Sequence, residues 1–564
     1  MELTTNAQRV LRARYLRRDS SGNVIETPEE MLRRVASTVA SAEAAYGLKP
    51  SGWEDLFFKE MDSLRFLPNT PTLINAGKED GQLAACFVLP IEDSMKSIFE
   101  TLKNAALILQ SGGGTGFSFS HLRPCSSPVS STGGVASGPV SFMRIYNTAT
   151  EVIKQGGARR GANMGILRVD HPDILEFINA KTSGPELENF NISVAITDLF
   201  MKSVKMGADY DLLDPRTGSP QGRIGALKVF EAISDSAWKT GDPGLIFIDR
   251  INEDNPTPQL GHIESTNPCG EQPLLPYEAC VLGSIDVSKF VDGAVLDLDA
   301  LSGTIRIAVR FLDNCIDVNK YPIEQIEAMH KGNRKIGLGV MGWADALIKM
   351  GIPYDSAKAL ESAEALMGHI RETAREASKE IAGIKGSFPN FKGSVYDIPD
   401  GTPIRNATLT TIAPTGSLSL IAGCSSGIEP LFALALQRRV LDTELSETSR
   451  LFFDMARENG FYSSQLEQEV TKKGTLAGIK GVPAEIRKLF KVAHDIRPET
   501  HIRMQAAFQK YTDNAVSKTV NLPKGARKQD VADTFMLAYD LGTKGITVFR
   551  YGSKKEGTLF YNVG

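Results

Sequence analysis

A cysteine flanked two residues on either side by a carboxamide and a carboxylate is a compact set of reactive groups. Residues 265–273 read Ser-Thr-Asn-Pro-Cys-Gly-Glu-Gln-Pro, so Asn267, Cys269 and Glu271 alternate along one short run. Pro268 and Gly270 bracket the cysteine, which argues for a turn or loop tip rather than a regular element. On a tight loop, three polar side chains at this spacing converge on one small substrate. The plain alternative is a surface turn that happens to hold an inert, buried cysteine.

Two further runs are suited to ligands. Residues 411–419, Thr-Ile-Ala-Pro-Thr-Gly-Ser-Leu-Ser, follow a strand-like stretch and offer hydroxyls and free backbone N–H groups. A helix starting there would present its N-terminus to an anion such as a phosphate. Residues 110–117, Gln-Ser-Gly-Gly-Gly-Thr-Gly-Phe, carry glycines that permit close backbone approach to a ligand or to another strand. Neither run has the lysine of a Walker A loop, so nucleotide hydrolysis is not implied.

These runs need a scaffold. The chain has 564 residues, more than one hydrophobic core usually organises. With 42% hydrophobic and 23% charged residues it reads as an ordinary globular protein. A formal charge of −4 leaves no basic excess for a nucleic-acid backbone. The polar, arginine-rich start lacks the apolar core of a signal peptide. No run of about 18 uncharged apolar residues is long enough to span a membrane. The expectation is a soluble, cytoplasmic protein. The six cysteines (86, 125, 269, 280, 315 and 424) lie far apart and form no CxxC, which argues against zinc ribbons and thioredoxin-like sites.

Residues 1–65 read as an N-terminal helical segment, with Thr27 as N-cap and Pro28 at the first helical position. From 66 onward, strand-like runs at 84–89, 192–196, 245–248 and 408–413 alternate with amphipathic helices, including periodic stretches at 98–109 and 142–153. That alternation predicts an α/β fold rich in parallel sheet, filling 66–564 as the catalytic part. The C-terminal third reads as mainly helical up to a short strand at 545–550.

The runs NPCGE and APTGS occur together and in order with NTPTL (69–73), ACFVLPIEDS (85–94), GGGTGFSFSHLRP (112–124) and GGARRGANMG (156–165). This set resembles the large subunits of ribonucleotide reductases, closest in wording to the class II type, from about residue 6 to about 553. The resemblance implies a ten-stranded α/β barrel of two five-stranded parallel halves set antiparallel, with a central finger loop. It implies that Cys269 becomes the thiyl radical and takes the 3′ hydrogen of the ribose. Glu271 would accept the 3′-hydroxyl proton, and Asn267 would hydrogen-bond the sugar hydroxyls. Cys86 and Cys280 would be the reducing pair, and a disulfide between them requires neighbouring strands, with Cα atoms within roughly 7 Å. Cys125, Cys315 and Cys424 match no role and are expected to be buried hydrophobes.

By the same resemblance the substrate phosphates would rest on Pro414, Thr415, Gly416, Ser417, Leu418 and Ser419, assisted by Thr70. Ala85, Gly113 and Gly114 would line the ribose. A deoxynucleoside triphosphate effector would use Asp93 for its sugar and Arg123 for its phosphates. The loop of Gly156, Gly157, Ala158, Arg159, Arg160, Gly161 and Ala162 would relay effector identity to the substrate site, its glycines permitting two conformations. Helices at 95–110 and 140–154 would form a homodimer face.

The radical source follows from what the motifs contain. Class I relatives take the radical from a di-metal partner subunit through a tyrosine pair, but here 547–552 reads Thr-Val-Phe-Arg-Tyr-Gly, and Tyr551 alone is no pair. The one Glu-x-x-His, Glu327 to His330, cannot build a paired di-iron site and is expected to be an accident of a helix surface. Without CxxC the zinc-bearing class III enzymes are disfavoured. The expected cofactor is therefore adenosylcobalamin. The alternatives are a class I chain needing a radical-generating partner, or a catalytically dead nucleotide-binding regulator, against which the retained thiols speak. No cysteine follows Cys424, so the expected reductant is an external thiol, thioredoxin-like or carried on a separate tail polypeptide. The N-terminus lacks the added ATP-binding helices of some relatives, so no on/off response to dATP is expected.

Overall fold

A computed structural model describes the chain except residues 130–132, 154–160, 183–185, 400, 441–442, 554–558 and 561–564. Helices Thr5–Arg14, Pro28–Ala40 and Pro50–Asp62 open it. Thr27 caps the second by a reciprocal box: its Oγ accepts from the Glu30 amide at 3.2 Å, and the Glu30 carboxylate accepts from the Thr27 amide at 2.7 Å. Met31, Leu32, Val35 and Val39 recur on one face and are buried against helices Pro50–Asp62 and Leu298–Val318.

Five strands, β1 (Cys86–Leu89), β2 (Gly114–Ser118), β3 (Asn163–Arg168), β4 (Phe190–Ile196) and β5 (Gly244–Phe247), pair in that order and all in parallel. Parallel neighbours require crossovers, supplied between β1, β2 and β3 by helices Met95–Gln110 and Pro139–Val152. The strands are buried almost throughout, as sheet covered on both faces must be. A second set holds β6 (Ala279–Asp286) parallel to β7 (Ile336–Met341), and β8 (Thr519–Leu522) parallel to β9 (Gly545–Arg550). The two sets meet antiparallel at both seams, β1 with β6 and β5 with β9.

Between β7 and β8 runs the stretch 408–413, read from sequence as a strand. It makes only single bridges, Leu338 with Thr410 and Ile412 with Val516. Backbone bonds still tie it to both neighbours, with the Thr411 amide on the Leu338 carbonyl at 3.0 Å and the Ile412 amide on the Ala515 carbonyl at 3.2 Å. Side chains add to them: Asp513 accepts from the Leu409 amide at 3.0 Å, and Asn514 Nδ2 donates to the Thr410 carbonyl at 3.0 Å. With this tenth stretch the ring closes as two five-membered parallel halves set antiparallel, as expected. The C-terminal third is mainly helical, as expected, with strands the sequence did not show. It contains β8 and a hairpin, Ala435–Val440 with Thr443–Thr448, whose charged and hydroxyl residues hide the strand signal in sequence. Among the described residues no helix is long and apolar enough to cross a membrane.

Candidate active site

The run around Cys269 forms a loop threaded inside the barrel. Ser265–Thr266 and Pro273–Leu274 pair antiparallel as its stem, and Gly270, at φ 81°, turns the tip with its amide bonded to the Asn267 carbonyl at 3.0 Å. Both halves of the barrel grip this loop. From the first, Asn191 on β4 donates to the Pro268 carbonyl at 2.7 Å. A Cβ built on Gly116 of β2 would stand 1.7 Å from the Thr266 carbonyl oxygen, so only glycine admits the stem there. From the second, the Thr411 hydroxyl and the Ala515 amide donate to the Glu271 carbonyl at 2.9 and 3.0 Å. The glycines of the 112–117 run thus serve approach to the loop as well as to any ligand: Gly114 faces Pro268, while Gly113 sits against the Phe87 ring.

Asn267 and Glu271 are buried, whereas Cys269 at the tip is exposed. Asn267 Nδ2 lies 3.1 Å from the Cys86 sulfur, and its Oδ1 accepts from the Gln272 amide at 3.0 Å. Cys86 and Cys280 are direct cross-strand partners on β1 and β6, and both are thiols. Burial pushes the Cys280 thiol well up, Lys335 opposes that shift, and Glu278 and Glu271 add to it. The Asn267 carboxamide thus ties the finger loop to Cys86, which strand register sets opposite Cys280. Cys269 opens into a cavity of about 1300 Å³ whose wall includes Ser193, Lys289, Ser425, Ser517 and Asn521.

Helix Gly416–Ala422 begins where 415–419 was read as a helix start, with Thr415 at φ 53°. The Thr415 hydroxyl accepts from the Gly427 amide at 2.7 Å instead of capping its own helix, so no side chain closes that N-terminus. Helix Thr5–Arg14 packs on it, and Tyr15 at its end bonds Thr70 at 3.0 Å. Ala85 neighbours Cys86 and Cys280 in a small apolar cluster with Ala413.

Asp93 and Arg123 come together on one face of the first half, where they bond each other at 2.8 Å. His121, close by in sequence, contacts Glu264 at 2.8 Å, at the foot of the finger stem, and that hydrogen bond raises its pKa. Gly161 and Ala162 lead into β3; Gly156 to Arg160 lie outside the described residues.

Several expectations are corrected. Cys125 is exposed rather than buried, and Cys424 is half-buried on the cavity wall; only Cys315 is the plain buried hydrophobe. His330 is no surface accident. It is buried, bonding Tyr321 at 2.9 Å and the Lys335 carbonyl at 3.2 Å, while Glu327 turns outward to Lys331. Among the described residues no three His, Cys, Asp or Glu side chains gather as a metal site would need. Sequence reasoning missed Asn191, Gly116 and Thr411 as loop clamps. Asn191 carried a signal, a carboxamide inside an apolar strand run.

A ten-membered α/β barrel threaded by a thiol-tipped loop, with two more thiols face to face on its wall, is the equipment of a thiol-using oxidoreductase. Residues 1–81 match the family profile "Ribonucleotide reductase, all-alpha domain", and residues 84–399 and 400–549 match "Ribonucleotide reductase, barrel domain". The chain is 49% identical, over 99% of its length and 80% of the relative's, to a vitamin B12-dependent ribonucleoside-diphosphate reductase of Thermoplasma acidophilum. It is 47% identical, over 100% of its length and 80% of the relative's, to one of Mycobacterium tuberculosis. Its fold is like that of the Actinobacillus ureae class Id ribonucleotide reductase alpha subunit, with TM-score 0.80 and 24% identity over 98% of this chain and 97% of that one. The chain belongs to the ribonucleotide reductase family, as a catalytic chain that reduces ribonucleotides to deoxyribonucleotides.

Proposed function

We propose that the chain is a class II, adenosylcobalamin-dependent reductase of ribonucleoside diphosphates, with Cys269 as the radical-bearing thiol and Cys86 and Cys280 as the reducing pair. The observation that carries this reading is the register of Cys86 opposite Cys280, with Asn267 of the finger loop 3.1 Å from Cys86. Cofactor and diphosphate specificity rest on the names of the two relatives at 47–49% identity.

The residues divide the work as follows. Cys269, as a thiyl radical, takes the 3′ hydrogen of the ribose. Glu271 takes the 3′-hydroxyl proton and Asn267 holds the sugar hydroxyls. The 2′-hydroxyl leaves as water after protonation from the thiol pair, whose two sulfurs supply two electrons and end as a disulfide. Cys269 then returns the hydrogen to C3′ of the product radical and is a thiyl radical again. Per turnover, one ribonucleotide and two thiols become one deoxyribonucleotide, one water and one disulfide. An external dithiol restores the pair.

The large cavity fits a bulky cofactor with a polar rim, since Ser193, Lys289, Ser517 and Asn521 offer hydrogen-bonding groups around an opening that exposes Cys269. Those residues would hold its periphery. Adenosylcobalamin, when bound, supplies the one-electron oxidising equivalent for the thiol. Thr70 and the amides of 415–419 would bind the substrate phosphates, and Ala85, Gly113 and Gly114 the ribose. Asp93 and Arg123 would exchange their mutual bond for the sugar and phosphates of a deoxynucleoside triphosphate effector, whose message the 156–162 loop would carry. A homodimer is supported by the exposed Met95, Phe99, Leu107, Ile145 and Val152 on helices Met95–Gln110 and Pro139–Val152.

The deciding assay is reduction of CDP with a small dithiol. Turnover with adenosylcobalamin and none without it is expected, and Cys269→Ser should lose essentially all activity while still binding nucleotide. Turnover without adenosylcobalamin on addition of a di-metal partner would replace the cofactor assignment; substantial activity in the serine variant would refute the radical assignment. Asp93→Ala should weaken dTTP binding about tenfold or more, the loss of one charged contact; unchanged affinity would move the effector elsewhere.

A further inference from the structure

On the far side of Cys280 from Cys86 lies a buried ion pair that the reaction as derived does not use. Strands β6 and β7 run parallel with Val281 opposite Ile336, so one step back along both chains sets Cys280 beside Lys335. The row Cys86, Cys280, Lys335 thus crosses three adjacent strands. Lys335 is 1% exposed, and its ammonium donates to the Glu278 carboxylate at 2.6 Å. Glu278 is oriented in turn by Asn333 Nδ2 at 2.5 Å and the Leu275 amide at 2.6 Å. Glu278 and Cys280 are two residues apart, hence on one face of the strand run. Burying two charges costs more than burying an apolar pair of similar size, so a pair kept beside a reacting thiol invites a chemical role.

We propose that Lys335, held by Glu278, is the positioning residue that makes Cys280 the departing thiolate when an external dithiol reopens the Cys86–Cys280 disulfide. The inference rests on the reducing-pair assignment above. In the first step the dithiol's thiolate forms a bond to the Cys86 sulfur, the Cys86–Cys280 bond breaks, and Cys280 leaves with the electron pair. In the second, the reductant's other thiol displaces Cys86, and the reductant becomes a cyclic or external disulfide. Each protein sulfur then takes a proton from the reductant or from water. The direction of attack follows exposure: Cys86 is 3% exposed and borders the loop, whereas Cys280 is 0% exposed. A thiolate departs faster as its conjugate acid becomes stronger, and a nearby cation offsets the rise that apolar burial gives a thiol's pKa. The titratable groups facing Cys280 are Cys86 from β1, Glu271 from the finger loop, Glu278 from its own strand run and Lys335 from the start of β7. Lys335 is the cation of that set.

The test uses the full chain, oxidised by one round of substrate turnover without reductant, with the Cys86–Cys280 disulfide verified by peptide mapping. Thiol recovery in dithiothreitol is then followed from pH 6.5 to 9.5. The double variant Glu278→Gln/Lys335→Met, which removes both charges and so avoids a lone buried one, should reduce about tenfold or more slowly near pH 7.5. The rise of its rate with pH should also move upward. Glu278→Gln alone, leaving the cation unopposed, should do the reverse, and Lys335→Arg should recover most of the wild-type rate. A purely structural pair predicts lower melting temperatures with an unchanged rate–pH profile, and that result in a folded double variant overturns the proposal. If the double variant does not fold, an unchanged or slower rate in Glu278→Gln overturns it instead. Absence of the disulfide from the oxidised wild type would overturn the reducing-pair assignment along with it; its presence with unaltered profiles would overturn only the role of Lys335.

Discussion

The two halves of the barrel are held together in different ways. The first half packs rings: Phe119 lies 6.0 Å from Phe117, 5.7 Å from Tyr146 and 6.2 Å from Phe190, all fully buried. Its five strands form continuous parallel ladders. In the second half, buried charges do much of that work. Asp313, on the crossover helix Leu298–Val318, accepts from Arg334 at 2.9 Å, Arg405 at 3.3 Å and Asn406 at 3.0 Å, tying down the entries to β7 and to 408–413. Nearby, Glu43 takes Arg310 at 2.6 Å and Lys385 at 3.1 Å. Apolar packing spreads its energy over many weak contacts, whereas an ionic knot concentrates it in a few groups whose loss strands another charge. The first half should therefore yield gradually to substitution and the second abruptly.

The sharpest break of this contrast is Asp313→Ala, which leaves Arg334 and Arg405 buried without their shared carboxylate. A loss of about 3–5 kcal/mol is expected by urea unfolding, as for other buried pairs deprived of one partner. A loss under about 1 kcal/mol would show that the knot is not what holds the second half. The same group sets a pH dependence. Burial opposes ionisation of Asp313, but Arg334 and Arg405 outweigh it and bring the carboxyl down to about 2. A depressed carboxyl contributes stability that is complete above its unfolded value, about 4, and is lost as pH falls from there toward the folded one. Asp313→Ala should accordingly flatten the acid limb of the stability curve below about pH 4.

Next in size is Gly116→Ala. Its Cβ would meet the Thr266 carbonyl at 1.7 Å, so the finger stem must move. A displacement near 1 Å at a reacting group costs about 10²-fold in rate, while the barrel's ring packing should hold the melting temperature within a few degrees. Equal losses of activity and stability would mean that the loop and the first half are one cooperative unit. The smallest effect is expected for Phe119→Leu, about 1–2 kcal/mol from lost ring contacts and a small cavity. If it matched Asp313→Ala, the contrast between the halves would fail.

Much of this was legible in the chain. The bracketed cysteine at 269 fell on a loop tip because proline and glycine forbid a regular element there. The N-cap at Thr27 and the strands at 84–89, 192–196 and 245–248 followed from local geometry and periodicity. Where the expectation slipped, side-chain character was the reason. The 408–413 stretch has strand composition and bonds both neighbours through its backbone, but the Asp513 side chain takes the Leu409 amide and the ladder stays irregular. The 435–448 hairpin is too polar for periodicity to show, and His330 turned inward because Tyr321 and the Lys335 carbonyl satisfy both ring nitrogens.

Residue types and near-neighbour spacing thus determined which groups are present: a thiol between a carboxamide and a carboxylate, glycines that admit close approach, and a helix start facing an open site. Only the tertiary structure decided which distant groups meet. The pairing of Cys86 with Cys280, the clamp of Gly116, Asn191 and Thr411 on the finger loop, and the placement of Lys335 behind Cys280 depend on strand order around a closed ring. That order is set by long-range packing and crossover connections, on which the spacing of residues within any one motif carries no information.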